Sequence, residues 1–83
     1  MNIEEMRAMI GARISIARKA RGLTQEELAG ALQVHKQTVS RWERGARSPN
    51  GEEIRGLVQT LGCSANFILG LEDTLTVKDE YHS

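Results

Sequence analysis

A set of polar side chains recurs at helical spacing between residues 36 and 44. Gln37, Ser40, Arg41 and Arg44 stand at positions i, i+3, i+4 and i+7, and Lys36 lies beside Gln37. This spacing places them on one side of an α-helix. Arginine and lysine pair with guanine edges, glutamine pairs with adenine, and serine hydrogen-bonds to bases or phosphates. The stripe therefore suits the major groove of DNA, and an ordinary solvated helix face is the alternative if the stripe is considered alone.

The same segment carries apolar residues in the opposite phase. Val39 and Trp42 face away from the polar stripe, and Val34 in the preceding turn supplies a further apolar contact. An aromatic ring near basic residues sometimes stacks on single-stranded bases, which is the alternative role for Trp42. Its phase with Val39 favours packing in the core, so the segment has one side for a core and one side for a ligand.

Charge is unevenly distributed along a chain whose formal net charge is zero. Residues 13–47 contain eight basic and three acidic side chains, a net charge of +5, and the remaining residues carry −5. The sequence therefore predicts a positive face for phosphate and an acidic face directed away from it.

Capping and turn signals predict helices in the first half of the chain. Apolar periodicity predicts a helix over residues 3–21, which Gly22 ends as a left-handed cap. Thr24 followed by Glu27 is a capping box, so a second, short helix begins there. The apolar phase breaks at residues 33–35, and a third helix is expected from about Lys36 to Arg44.

In the second half, residues 46–51 contain proline, asparagine and glycine together and are predicted to form a loop. A fourth helix is expected after it, closed by Gly62, on the apolar residues Ile54, Leu57, Val58 and Leu61. Ser64 can cap a short fifth helix containing Phe67, Ile68 and Leu69.

The segment from Gln25 to Glu43 resembles the Cro/C1-type helix-turn-helix family of phage repressors and bacterial regulators. The similarity extends over residues 14–69, through Arg18, residues 22–29 (GLTQEELA), Val34, residues 39–45 (VSRWERG), Pro49 and residues 61–64 (LGCS). It implies an all-α fold, a compact five-helix lambda-repressor-like DNA-binding domain over residues 1–70. The helix-turn-helix would occupy about 24–44. Residues 71–83 are polar, acidic and weakly patterned, so they are interpreted as a C-terminal tail that is mobile or is ordered only by a partner subunit.

The resemblance also implies roles for individual residues. Four residues on the third helix would face bases: Lys36, Gln37, Ser40 and Arg41. The residues assigned to the DNA backbone are Thr24, Gln25, His35, Thr38, Arg44 and Arg47. Arg18 and Glu43 would form a buried ion pair that ties the first helix to the third, with two independent surface charges as the alternative.

Two positions depart from the family pattern. Gln33 stands where the family commonly has glycine, so a left-handed turn there would strain the backbone. His35 stands where the family often has a serine N-cap, and histidine is a poorer cap. A phosphate contact or no role at all are both open for His35, and a metal ligand is disfavoured.

We expect a sequence-specific double-stranded DNA-binding transcriptional regulator, a repressor that acts as a homodimer on a pseudo-palindromic operator. An antitoxin or an adaptor that binds a partner protein through the same fold is the alternative. Apolar residues that could form a shared dimer patch are Leu57, Phe67, Ile68 and Leu71, although a core role explains most of them equally well. No enzyme, cofactor or metal site is expected, because no cluster of catalytic or metal-ligating residues is present.

The sequence also bears on location. The single Cys63 has no internal disulfide partner and is interpreted as a small buried residue rather than a redox or metal site. No run of about 18 apolar residues and no basic-then-apolar leader is visible, so a cytoplasmic protein without a membrane partner, encoded by a bacterium or phage, is expected.

Overall fold

Five α-helices make up residues 1–75, the part of the chain that the computed structural model describes. They are α1 (Ile3–Ala20), α2 (Gln25–Leu32), α3 (Lys36–Glu43), α4 (Gly51–Leu61) and α5 (Ala65–Ile68). The predicted all-α, five-helix fold is confirmed. Of the predicted tail, residues 76–83 lie outside the described residues.

Side-chain caps fix where α2 and α4 begin. The Thr24 hydroxyl accepts the Glu27 N–H at 3.0 Å, as the sequence predicts. Asn50 and Glu53 form a capping box at the start of α4, with bonds of 2.8 and 2.9 Å. Since Asn50 is the cap, α4 begins at Gly51 and not after it, and the predicted loop is one residue too long at this end.

The turn between α2 and α3 contains both departures from the family pattern. Gln33 adopts φ 59° and ψ 41°, the left-handed conformation that the sequence predicts there. His35 is the N-cap of α3 but makes no side-chain hydrogen bond to the helix. The chain thus makes this turn with a strained residue and a helix start that no side chain caps.

The core lies between α1, α3, α4 and α5 and is closed on one side by α2. Its fully buried side chains include Ile14, Leu28, Val39, Trp42, Leu57, Leu61 and Ile68. Trp42 therefore packs in the core, as predicted from its phase, and is not available to stack on bases. Its indole N–H has no hydrogen-bond partner within the described residues.

For three of the four dimer-patch candidates, the structure favours the alternative core role. Leu57, Phe67 and Ile68 are buried in the core of the single chain, so they cannot also cover a partner. Only Leu71 is exposed, by 73% of its surface. The apolar period of a helix identifies its buried side but does not tell a core from a subunit interface.

The first and third helices approach closely at a glycine. A Cβ on Gly11 would overlap the carbonyl oxygen of Trp42 and lie 2.9 Å from the carbonyl oxygen of Glu43. Gly11 is buried, and α1 runs through it without a break. The absence of a side chain at Gly11 therefore allows α1 to lie against the backbone at the end of α3.

Arg13 holds the segment that follows α5. Its guanidinium lies 4.6 Å from the centre of the Phe67 ring and donates hydrogen bonds to the carbonyl oxygens of Phe67 and Glu72 and to the Asp73 carboxylate. The Ser64 hydroxyl donates to the Glu72 carboxylate at 2.7 Å. Sequence patterning gave no sign of this attachment, and it removes Arg13 from the charges free to meet phosphate.

Three further observations concern the Cys63 thiol, membrane-spanning helices and metal-ligating groups. Burial raises the pKa of the Cys63 thiol, so that this group is protonated at neutral pH. Residues 1–75 contain no helix long and apolar enough to cross a membrane, and no group of three or more histidine, cysteine or acidic residues arranged around a metal position.

Candidate nucleic-acid interface

The third helix has one buried, mainly apolar side and one exposed, polar side. Val39 and Trp42 are buried, whereas Lys36, Gln37 and Arg41 are exposed and make no side-chain hydrogen bond or ion pair within residues 1–75. Ser40 is half-buried at the centre of the exposed side. Because α3 is anchored by its apolar side, its outward stripe is held in a fixed orientation, and the side-chain donors and acceptors of Lys36, Gln37 and Arg41 have no partner within residues 1–75.

The start of α2 lies against the outer side of α3. Gln25, the first residue of α2, lines a shallow depression together with Lys36, Gln37 and Ser40. The amide nitrogen of Gln25 donates to the carboxylate of Glu43 at 3.0 Å. The structure therefore brings Gln25 next to the residues predicted to face bases and braces it against the end of α3.

Arg18 and Glu43 meet in a bidentate ion pair between α1 and α3. The guanidinium donates to the carboxylate from Nε at 2.6 Å and from Nη2 at 3.0 Å, and it also donates to the carbonyl oxygen of Leu23 at 2.7 Å. Only 10% of the Arg18 side chain and 8% of the Glu43 side chain are exposed. The two charges are therefore shielded from water and satisfy one another.

The same network holds Glu43 in its charged form. Burial of the carboxylate raises its pKa, but hydrogen bonds from Arg18, Gln25 and Ser15 and the positive charge of Arg18 outweigh burial, so the pKa of Glu43 lies below its ordinary value. The hydrogen bond to Glu43 raises the pKa of Arg18. The part played by Ser15 was not predicted, because a serine one turn before an arginine carries no recognisable signal.

The residues predicted to contact the DNA backbone occupy different environments. Thr24 and His35 are exposed at the starts of α2 and α3. The Nε of Arg44 donates to the Ser40 hydroxyl at 3.3 Å, which lays its side chain along the outward stripe. Arg47 is paired with Glu53 at 3.3 Å, so a phosphate at Arg47 would compete with a carboxylate.

Thr38 fits its predicted role least well. It is buried against the core side of α3, with 9% of its surface exposed. Position 38 falls between the outward residues and the core residues on the helix circumference, and the phase of the helix turns it inward. Little of its surface is left for a phosphate.

A short helix pair packed across a common core, with an exposed polar stripe on the second helix, defines a helix-turn-helix DNA-binding domain. The helix-turn-helix family model HTH_3 matches residues 14–68. The chain belongs to this family, the Cro/C1-type helix-turn-helix regulators.

Two relatives are named as a transcriptional regulator and as a repressor. The chain is 42% identical over 72 residues to the HTH-type transcriptional regulator DicA of Escherichia coli K12, with 86% of this chain and 53% of DicA covered. It is 33% identical over 75 residues to the repressor protein C2 of Salmonella phage P22, with 90% of this chain and 34% of C2 covered. The chain thus spans about half the length of the first of these relatives and about a third of the second.

A solved structure shows the same fold with DNA. The P22 c2 repressor in complex with a synthetic operator superimposes with a TM-score of 0.69 at 33% identity, covering 72% of this chain and 91% of that one. The order and packing of the helices described above are therefore those of a repressor DNA-binding domain.

Proposed function

We propose that the protein is a transcriptional repressor that binds a specific double-stranded DNA operator in the cytoplasm. The observation that carries this proposal is the outward stripe of α3, in which Lys36, Gln37 and Arg41 are exposed and unpaired within residues 1–75, opposite a buried apolar side. An α-helix of this kind fits the major groove, where base edges are read. The repressor C2, whose similar domain was solved on a synthetic operator, supports the proposal.

Individual side chains divide between bases and phosphates. Arg41 and Lys36 pair with guanine, Gln37 pairs with adenine, and Ser40 hydrogen-bonds to a base edge or a phosphate. These four contacts would determine which sequence is bound, because the phosphate backbone carries no sequence information directly.

The remaining contacts set the register of the domain on the duplex. Gln25 and the first N–H groups of α2 face one phosphate, because the start of a helix favours an anion. Thr24, His35, Arg44 and Arg47 add backbone contacts around the same groove. Thr38 contributes at most its small exposed surface.

We further propose that two copies bind together on a pseudo-palindromic operator. One such domain reads only a few base pairs, and a second copy on the next half-site doubles the sequence that is recognised. Repression then follows by steric exclusion of RNA polymerase from the occupied site.

Selection of bound sequences from a random duplex pool tests the proposal. A two-fold symmetric motif is the expected result. Arg41→Ala and Gln37→Ala should each lose about 1–3 kcal/mol of discrimination at one base pair of each half-site. The matched control is Arg55→Ala, an exposed cation on α4, which should keep both affinity and motif.

A pool without enrichment would contradict the DNA-binding proposal and favour an antitoxin or adaptor that binds a partner protein. The composition of the stripe argues against that alternative, since the buried centre of a protein-binding surface is enriched in aromatic side chains and depleted of charged ones. Gln37, Ser40 and Arg41 are polar or charged instead.

A further inference from the structure

The first helix extends beyond the end of α3. A Cβ on Gly45, the residue that follows the C-cap of α3, would lie 3.1 Å from the Cα of Ala8 and 3.5 Å from the carbonyl carbon of Arg7. Together with the contact at Gly11, this shows that α1 crosses the end of α3 from residue 11 to residue 7. The N-terminal turns of α1 therefore lie beside the chain that leaves α3.

The crossing places the cationic residue Arg7 near the C-terminal end of α3. At 3.6 residues per turn, Arg7 lies within about 40° of Gly11 and about 20° of Arg18 on the circumference of α1, so it continues the side that faces α3. It stands about 6 Å before Gly11 along the helix axis. That position is just past the last turn of α3.

Arg7 differs from Arg18 in being free. Arg18 is neutralised by Glu43, whereas Arg7 is exposed and makes no hydrogen bond or ion pair with any residue in the range 1–75. Glu4, one turn earlier on α1, does not pair with it within that range. Arg7 thus adds an uncompensated positive charge beside the end of α3, where Arg44 and Arg47 also lie.

We propose that Arg7 binds a backbone phosphate at the edge of the operator, so that α1 takes part in DNA binding alongside α2 and α3. This inference deepens the proposed function and rests on it. The contact would carry no sequence information, but it would add one phosphate to the interface and one released counterion to the binding equilibrium.

The salt dependence of binding tests the proposal. Each phosphate contact contributes about 0.9 to the slope of log K against log salt concentration on duplex DNA. Arg7→Gln should therefore lower that slope by about 1 on the duplex selected from the random pool and weaken binding several-fold at low salt. Arg55→Gln is the matched control and should leave both unchanged, and thermal unfolding of each variant should show that the fold is intact.

A phosphate-substitution series locates the contact. Duplexes that carry an uncharged methylphosphonate at one backbone position at a time should show one position where the wild type loses affinity and Arg7→Gln does not. If Arg7 instead stabilised the end of α3 through the helix dipole, Arg7→Gln would lower the unfolding temperature with an unchanged salt slope, and the proposal would be overturned.

The same measurements separate this inference from the proposed function. Sequence-selective binding by the wild type with an unchanged slope for Arg7→Gln defeats only the Arg7 contact. If the pool gives no enriched motif, binding to an unselected duplex still reports on Arg7. On that unselected duplex, a lower salt slope for Arg7→Gln than for the wild type would support the phosphate contact even though sequence-specific binding had failed. An unchanged slope, or no binding at all, would contradict both the Arg7 contact and the proposed function.

Discussion

Removing Glu43 should destabilise the domain far more than removing an exposed carboxylate. Glu43→Ala deletes the hydrogen bonds of 2.6–3.0 Å from Arg18 and Gln25 together with the one from Ser15. The Arg18 guanidinium then remains in a site where only 10% of its side chain is exposed, with the Leu23 carbonyl as its remaining described hydrogen-bond partner. Stranding one partner of a buried pair costs about 3–5 kcal/mol, a large part of the roughly 5–15 kcal/mol that stabilises a domain.

Urea unfolding followed by circular dichroism measures this cost. Glu43→Ala should lower the midpoint by at least about 1 M, given slopes of about 1–3 kcal/mol per M for small proteins. Glu52→Ala removes an exposed carboxylate from the first turn of α4 and serves as the control, with an expected cost of about 0.3–1 kcal/mol. An unchanged midpoint for Glu43→Ala would refute the reasoning.

A double variant separates the cost of stranding a charge from the worth of the pair. Arg18→Met combined with Glu43→Leu replaces both charges by apolar groups of similar size, so that no buried charge is left alone. This variant should be more stable than Glu43→Ala, because the desolvation cost of both ions is removed together. A double variant less stable than the single one would show that the pair itself contributes most of the stability.

Acid should remove the same stabilisation. The folded-state pKa of Glu43 lies below its ordinary value of 4.5, so the pair contributes fully above that value. The contribution is lost as the pH falls through the lower folded-state pKa, because the unfolded chain then binds the proton more readily. The wild type should therefore lose more stability between neutral and acid pH than Glu43→Ala does, in unfolding curves recorded across that range.

Four further substitutions test the backbone geometry by urea midpoints. Gln33→Gly should stabilise the protein by up to about 1 kcal/mol by relieving the left-handed residue, and a lower midpoint would contradict the strain. Gly11→Ala should destabilise by more than about 2 kcal/mol because its Cβ meets the Trp42 carbonyl, whereas Gly30→Ala, with open space at its Cβ, should gain about 0.5–1 kcal/mol. Equal midpoints for these two would refute the close approach. His35→Ser should add about 0.5–1 kcal/mol, because a serine hydroxyl at the N-cap accepts a hydrogen bond from a backbone N–H in the first turn of α3, and an unchanged midpoint would contradict the missing cap.

Local signals in the sequence predicted most of the fold. The capping box at Thr24 and the left-handed glycines at 22 and 62 act over a few residues, so their effect is readable without the fold. The start of α4 was missed by one residue although Asn50 and Glu53 form the same kind of box. Pro49 and Gly51 flank Asn50 and are typical of loops, so residue 51 was assigned to the loop although Asn50 caps the helix.

Contacts between residues far apart in the chain were harder to predict from the sequence. From helix propensity alone, Gly11 only weakens α1, and its use becomes visible when α3 is placed against it, more than thirty residues away in the chain. Arg13 was counted with the free positive charges, and its attachment to residues 67–73 requires the fold. The outward stripe was predicted because its residues lie on one helix, whereas the burial of Thr38 depends on what packs against that helix.

The contact at Gly11 has a consequence for re-engineering. It joins α1 to main-chain oxygens of α3, and the outward side chains of α3 take no part in it. Exchanging Gln37, Ser40 and Arg41 for other polar residues should therefore leave the joint between the helices undisturbed. New base-contacting side chains could therefore be introduced on α3 while the rest of the domain stays unchanged. Each such variant should keep the orientation of α3 against α1 that the close approach at Gly11 allows.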